Sequence, residues 1–170
     1  MTSRHHLVLA TCLATSLATA SYSQSSGTVT LIVADQERTI PVWSDQSDWS
    51  GGESWPSINI YARDFSDSGE EPALISLSFE AAGWQPSAPE MDLVLYENRK
   101  SVGRLFAREE EERGGLTVIV DSHAFDGTSL SLSGSFEGTL GPSDNYGNDI
   151  DLSQGVPVTG TFDVVLETLE

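Results

Sequence analysis

The sequence predicts an all-β fold, an antiparallel β-sandwich of eight or nine strands, on three observations. Ser129 to Leu140 reads S-L-S-L-S-G-S-F-E-G-T-L, with Leu130, Leu132, Phe136 and Leu140 on one parity and hydroxyl or acidic side chains on the other. Successive side chains of a strand point to opposite faces, so this beat marks a half-buried strand. Val156 to Leu169 repeats the arrangement, Val156, Val158, Phe162, Val164 and Leu166 alternating with Thr159, Thr161, Asp163 and Glu167. Laid over each other, Gly134-Ser135-Phe136-Glu137 matches Gly160-Thr161-Phe162-Asp163, each with a Leu four residues after its Phe. Two like strands this close in the chain are expected to pair antiparallel. Third, Gly-, Pro- and Asp-rich turns separate the other apolar alternations, which suits a sandwich of immunoglobulin-like or jelly-roll-like kind.

Before that closing pair, Val29, Leu31 and Val33 alternate with Thr28, Thr30 and Ile32, and Asp35-Gln36 turns the chain toward Ile40 and Val42. Pro41 cannot donate to a ladder, which assigns its strand to an edge. Ser44 to Pro56 is rich in turn formers and reads as a loop. Ser57 to Ala62 is a short strand, Asp64 to Pro72 an acidic loop, and Ala73 to Glu80 a strand with Ile75, Leu77 and Phe79 inward. Gly83, Pro86 and Pro89 make Ala82 to Glu90 irregular. Met91 to Glu97 is apolar on both parities and reads as a central strand.

Leu105 to Arg113 admits two readings. Its helix formers and the spacings Arg108–Glu112 and Glu109–Arg113 suit a helix stopped by Gly114. Val102, Gly103 and the surrounding β pattern favour a strand that ends in a charged turn. Leu116, Val118 and Val120 form the next strand, ending near His123, and Asp126-Gly127 turns into the Ser129 strand.

The start of the chain reads as an export signal. Arg4, His5 and His6 form a weakly basic start, Leu7 to Leu17 a short apolar run, and Ala18-Thr19-Ala20 a small-x-small cleavage site. The apolar run is shorter than the about 20 residues a bilayer span needs. The expectation is therefore a signal peptide over residues 1–20, cleavage after Ala20, a flexible polar leader over 21–27 and one domain over 28–170. Lipidation at Cys12 is disfavoured by Thr11 and the short run before it. The destination is the periplasm or the exterior, with no membrane insertion after cleavage.

Cleavage would remove Cys12, two of three His and Arg4, leaving 7 basic against 26 acidic groups. With no Cys left, disulfides, thiol catalysis and Cys-ligated zinc are excluded, and His123 alone makes no multi-histidine metal site. A surface this negative repels phosphate backbones and anionic headgroups, which argues against nucleic acid or anionic membrane as a partner. A glycan or a protein remains.

Three sets of residues carry candidate chemistry. Trp43, Trp49, Trp55 and Trp84 could stack sugar rings, but indoles also cover the open ends of sandwiches with the N–H turned to a carbonyl. Asp144, Asn145, Asn148, Asp149 and Asp151 cluster oxygen ligands of the type calcium takes. The EF-hand order fails there, because Tyr146 and Asp149 occupy its third and sixth positions counted from Asp144, and Asp and Asn also serve ordinary turns. His123 lies near Asp121, Ser122 and Asp126, yet no G-x-S-x-G or S-x-x-K accompanies it to supply an activated nucleophile. Two facing carboxylates would suffice for a glycosidase, but the acids fall in turns and on polar faces. No catalytic residue is assigned.

The terminal pattern, S-L-S-G-S-F-E-G-T-L followed by I-D-L-S-Q-G-V-P-V-T-G-T-F-D-V, resembles the closing hairpin of small secreted bacterial β-sandwich proteins of unknown function, over residues 116–169. The resemblance implies a sandwich and no catalytic residues. The functional expectation is an exported, acidic, non-enzymatic domain that binds or serves as a structural unit. The alternative is a carbohydrate-binding module using exposed Trp residues, with a structural calcium ion.

Overall fold

The computed structural model describes residues 24–64, 73–98 and 100–169. The expected signal peptide and the Asp64–Pro72 loop beyond its first residue lie outside them. Among the described residues there are ten strands: β1 (Ser26–Val33), β2 (Gln36–Pro41), β3 (Asp48–Gly52), β4 (Trp55–Asp64), β5 (Ala73–Ala82), β6 (Gln85–Glu97), β7 (Lys100–Arg108), β8 (Thr117–Asp126), β9 (Ser129–Pro142) and β10 (Val156–Thr168). They form one hydrogen-bonded sheet in the order β2-β1-β10-β3-β4-β5-β6-β7-β9-β8. The all-β expectation holds, with ten strands rather than eight or nine.

The matched strands β9 and β10 organise this sheet. They pair antiparallel over twelve residues, with Phe162 opposite Gly134, Thr161 opposite Ser135 and Gly160 opposite Phe136. The two Gly-x-Phe triplets are thus related by a local two-fold axis through the Ser135–Thr161 pair. Each ring lies over the glycine across from it: a Cβ added at Gly134 would sit 2.5 Å from Phe162 Cζ, and one at Gly160 would strike Phe136 Cζ. Cross-strand side chains at this separation are the unit of sheet stabilisation, and the bare glycines make room for two large rings where two ordinary pairs would stand. Phe136, Phe162, Leu140 and Leu166 are all buried.

The length of this pair closes the sheet on itself. One edge of β10 carries β9, so β1, against Val158 to Val165, and β3, against Glu167 and Thr168, share the other. β9 likewise meets β8 along its first part and β7 at Gly141 and Pro142. A ring of seven strands results, with β2-β1 and β8 branching from it. Phe79 of β5 reaches Phe162 of β10 across the interior, ring centroids 6.1 Å apart.

Three local expectations change, and of the two readings of Leu105–Arg113 the strand ending in a charged turn is the one observed. The loop predicted over Ser44–Pro56 contains β3, in which Trp49 is buried among Asp, Ser and Gly and the chain is extended against β4. Ala82–Glu90, predicted irregular, is extended from Gln85 onward; Pro86 and Pro89 are accommodated beside a bulge at Ser78/Glu80, with Ala88 at a left-handed φ of 48°. The Leu105–Arg113 segment stays a strand to Arg108, then makes a 3-10 turn over Glu111–Arg113 closed by Gly114. β8 continues past His123 to Asp126, because a bulge between Val120 and Ser122 shifts the parity. Val118 is inward before that bulge, and His123 and Phe125 pair with inward Leu132 and Leu130 after it.

Candidate functional site

The connection from β9 to β10 is folded on itself and pinned to β7. Ser143 Oγ accepts the backbone N–H of Asn145 at 3.3 Å and of Gly147 at 2.8 Å, and donates to Asn145 Oδ1. Asn145 Oδ1 also accepts the Asp149 N–H at 2.8 Å, and its Nδ2 donates to Asp149 Oδ2 at 2.7 Å. This is the local side-chain-to-backbone bonding that Ser, Asn and Asp offer in turns.

Arg108 supplies the long-range anchor. Its buried side chain donates from Nη1 to the carbonyls of Met91 at 3.1 Å and Ala107 at 2.8 Å and to Asp92 Oδ1 at 3.1 Å, and from Nη2 to the Tyr146 carbonyl at 3.5 Å. Arg113 Nη2 donates to the next carbonyl, Gly147, at 2.8 Å. The second oxygen of Asp92 accepts from Arg104 at 2.6 Å, so one carboxylate spaces two guanidinium groups. Gly147, at φ 82°, lies flat on this cluster; a Cβ there would stand 2.6 Å from Arg108 Nη2 and 2.9 Å from Phe106 Cδ1.

The result is a displayed aromatic ring. Tyr146 has a left-handed φ of 60° and is 77% exposed, with the Arg104 guanidinium 5.8 Å from its ring. A non-glycine residue in that region persists only where its surroundings fix it, and the two arginine–carbonyl bonds on either side of the Tyr146–Gly147 link do so. Beside the loop, an open cleft of about 540 Å³ is bordered by Pro142, Asp144, Asp149 and Asp151.

Of the calcium set, Asp144 borders that cleft, Asn145 and Asp149 bond each other, and Asn148 Nδ2 donates to the Asn145 carbonyl. Asp151 caps the 3-10 turn Leu152–Gln154; hydrogen bonds from the Ser153 hydroxyl, then Gln154 and the Ser153 N–H, hold its carboxyl below the ordinary carboxylate range. Among the described residues no three His, Cys, Asp or Glu side chains group as metal ligands.

The four tryptophans are dispersed. Trp49 is buried, donates to the Thr128 carbonyl at 2.9 Å and packs on Phe125. Trp84 stacks on His123, centroids 3.7 Å apart and planes within 11°. Trp43 lies under the Arg63 guanidinium at 3.6 Å, and its buried Nε1 has no hydrogen-bond partner among the described residues. Trp55 is 64% exposed at the start of β4, near the β5–β6 turn through the bond from Gly83 N–H to the Ser54 carbonyl. Trp49, Trp84, Phe125 and His123 together close one end of the interior, and the parity shift in β8 brings His123 into that stack.

Sequence reasoning did not single out Arg108, Arg113, Asp92 or Tyr146. The available signal was Phe106 and Arg108 on one parity of β7, an apolar ring and a cation sharing a face that something must cover. No described helix is long and apolar enough to cross a membrane. No protein-family model matches the chain, and comparison with curated proteins and with solved structures found no match to either.

Proposed function

We propose that the protein is exported to the periplasm or beyond and works without catalysis, as an acidic β-sandwich domain that binds a partner through the face formed by β6, β7 and the Ser143–Asp151 loop. The observation that carries this reading is Tyr146, exposed and fixed by arginine bonds to its own carbonyl and its neighbour's. An exposed aromatic residue whose backbone is already held loses less freedom on binding than one on a loose loop, which is how anchor residues gain affinity. The contact between Phe79 and Phe162 supports the sandwich, since it joins strands well separated along the ladder. The strong negative charge supports a partner that is neutral or basic rather than a nucleic acid.

The test is calorimetric titration of the purified protein with a panel of neutral glycans and basic or neutral peptides, repeated with Tyr146→Ala. A ligand whose affinity falls tenfold or more in the variant supports the reading. Full affinity in Tyr146→Ala would remove it.

A second reading, carbohydrate binding at tryptophan, is favoured by the exposure of Trp55. It expects sugar-dependent indole fluorescence that Trp55→Ala abolishes. Calcium at Asp144, Asn145, Asn148, Asp149 and Asp151 belongs to that reading, and requires a melting temperature that rises with Ca²⁺ and falls with EDTA.

A further inference from the structure

We infer that the aliphatic end of the interior binds a short-chain carboxylate, its chain seated between β1 and β6 and its head group at Arg38. The interior has two ends, and they are finished differently. Where β10 meets β3, Trp49 packs on Phe125 and Trp84 stacks on His123, so rings fill the opening. At the other end Val33 pairs with Val158 and Ala73 with Leu95, and among the described residues the lining holds no aromatic ring. A cavity of about 180 Å³ opens there between Leu31, Val33, Ala73, Leu93 and Leu95. Leu31, Ala73 and Leu93 are buried, and Val33 and Leu95 half-buried, so its walls are hydrocarbon.

Arg38 is the second observation. It lies opposite Leu31 in the β1–β2 ladder, and direct cross-strand neighbours share a face, so a guanidinium side chain stands on the inward parity of β2. Arg38 is half-buried, and among the described residues it is the one charged side chain on the cavity wall. Gln36 precedes it on the same parity, with its Oε1 3.5 Å from Arg38 Nη2. An apolar hollow with a few polar groups that fix orientation is the usual form of a small-molecule site, and the mouth of a closed sheet is a usual place for one.

Volume and charge select the occupant. An engineered apolar cavity of about 150 Å³ takes benzene, so this one suits a chain of about six carbons and excludes a full-length lipid tail. One guanidinium pairs in a two-bonded fork with one carboxylate and cancels its charge. A phosphate would bring a second negative charge toward a strand that also carries Glu37, and an ammonium would meet a like charge. The net charge of the chain opposes anions across its surface, but salt screens that repulsion and screens a half-buried pair much less. The cavity shares no lining residue with the cleft beside Tyr146.

Methyl NMR of the purified chain, titrated with hexanoate, 1-hexanol and hexylamine, tests the inference. Hexanoate should shift the Leu31, Val33 and Leu95 methyl signals and saturate at one site, with the alcohol and the amine at least tenfold weaker. Ile150, in the cleft beside Tyr146, should not move, so the two sites are read separately. Arg38→Met keeps much of the apolar stem and removes the fork, and should lower hexanoate affinity at least tenfold, to the level of hexanol. Val33→Phe, which sets a ring in the cavity, should lower both. Melting temperatures check that the variants fold. An inward charge can also guard an edge strand against pairing; hexanoate affinity unmoved in Arg38→Met would leave only that role and overturn the inference. So would hexanol binding as tightly as hexanoate, full affinity in Val33→Phe, or shifts at Ile150 instead of Val33 and Leu95.

Discussion

The β9–β10 pair and the loop that joins them are held by opposite means. The strands interlock through apolar matter, each Phe filling the space above a glycine on its neighbour. The loop buries none of its apolar side chains fully and is held by directed bonds, from Ser143 and Asn145 within it and from Arg108 and Arg113 outside it. Burial is roughly proportional to area and indifferent to direction, whereas a hydrogen bond demands its partner in place. The first kind of order can carry a fold; the second can fix the backbone that presents one exposed ring.

The largest expected effect lies in the strands. Phe162→Ala should cost about 3–5 kcal/mol, the range for emptying a large buried aromatic site, measured by denaturant unfolding. Tyr146→Ala in the same assay should be within about 0.5 kcal/mol of wild type, as exposed positions are. Next comes Gly134→Ala, whose methyl group would meet both the Phe162 ring and the Ile119 carbonyl. Backbone on one side and a packed ring on the other leave no cheap relief, so a loss of about 1–3 kcal/mol is expected. The same substitution at Gly52, which has open space around it, serves as the control.

Much of the first region can be read from residue order, because its cause is periodic. Leu130, Leu132, Phe136 and Leu140 keep one parity, with only Gly134 and Gly138 between them on it, and the matched Gly-x-Phe triplets lie in the two strands that pair. What hides from such reading is order imposed from a distance. β3 is extended against β4, although Asp48, Ser50, Gly51 and Gly52 favour turns. The parity of β8 changes at a bulge that no residue type announces, so His123 joins Trp84 instead of ending a strand. The loop at 143–151 shows its Asn, Asp and Gly but not Arg108, which reaches the Tyr146 carbonyl across 38 positions. Ring closure also escapes periodicity, since it follows from β9 and β10 outrunning their first neighbours.

Smaller effects probe the loop. Arg108→Met keeps much of the side-chain volume and removes the bonds to Met91, Asp92, Ala107 and Tyr146. Because Arg104 still partners Asp92, the expected loss is about 1.5–3 kcal/mol, the range for bonds to a charged group, with Phe136 and Phe162 packing unchanged. Smallest is Asp151. Its lowered pKa means that its stabilising contribution is present above the ordinary value of 3.8 and is lost as pH falls below that value through the folded-state pKa. The difference in stability between wild type and Asp151→Asn should therefore be slight at neutral pH and vanish in acid, as followed by thermal melts across pH.

The most direct test is hydrogen exchange at the Gly147 and Asp149 amides, which donate to Ser143 Oγ and Asn145 Oδ1. In the wild-type protein these two should be protected despite lying on an exposed loop, and in Arg108→Met they should exchange at least tenfold faster while the β9–β10 amides keep their rates. Free exchange of both amides in the wild-type chain, or rates unmoved by loss of Arg108, would contradict the claim that distant arginines hold the backbone that presents Tyr146.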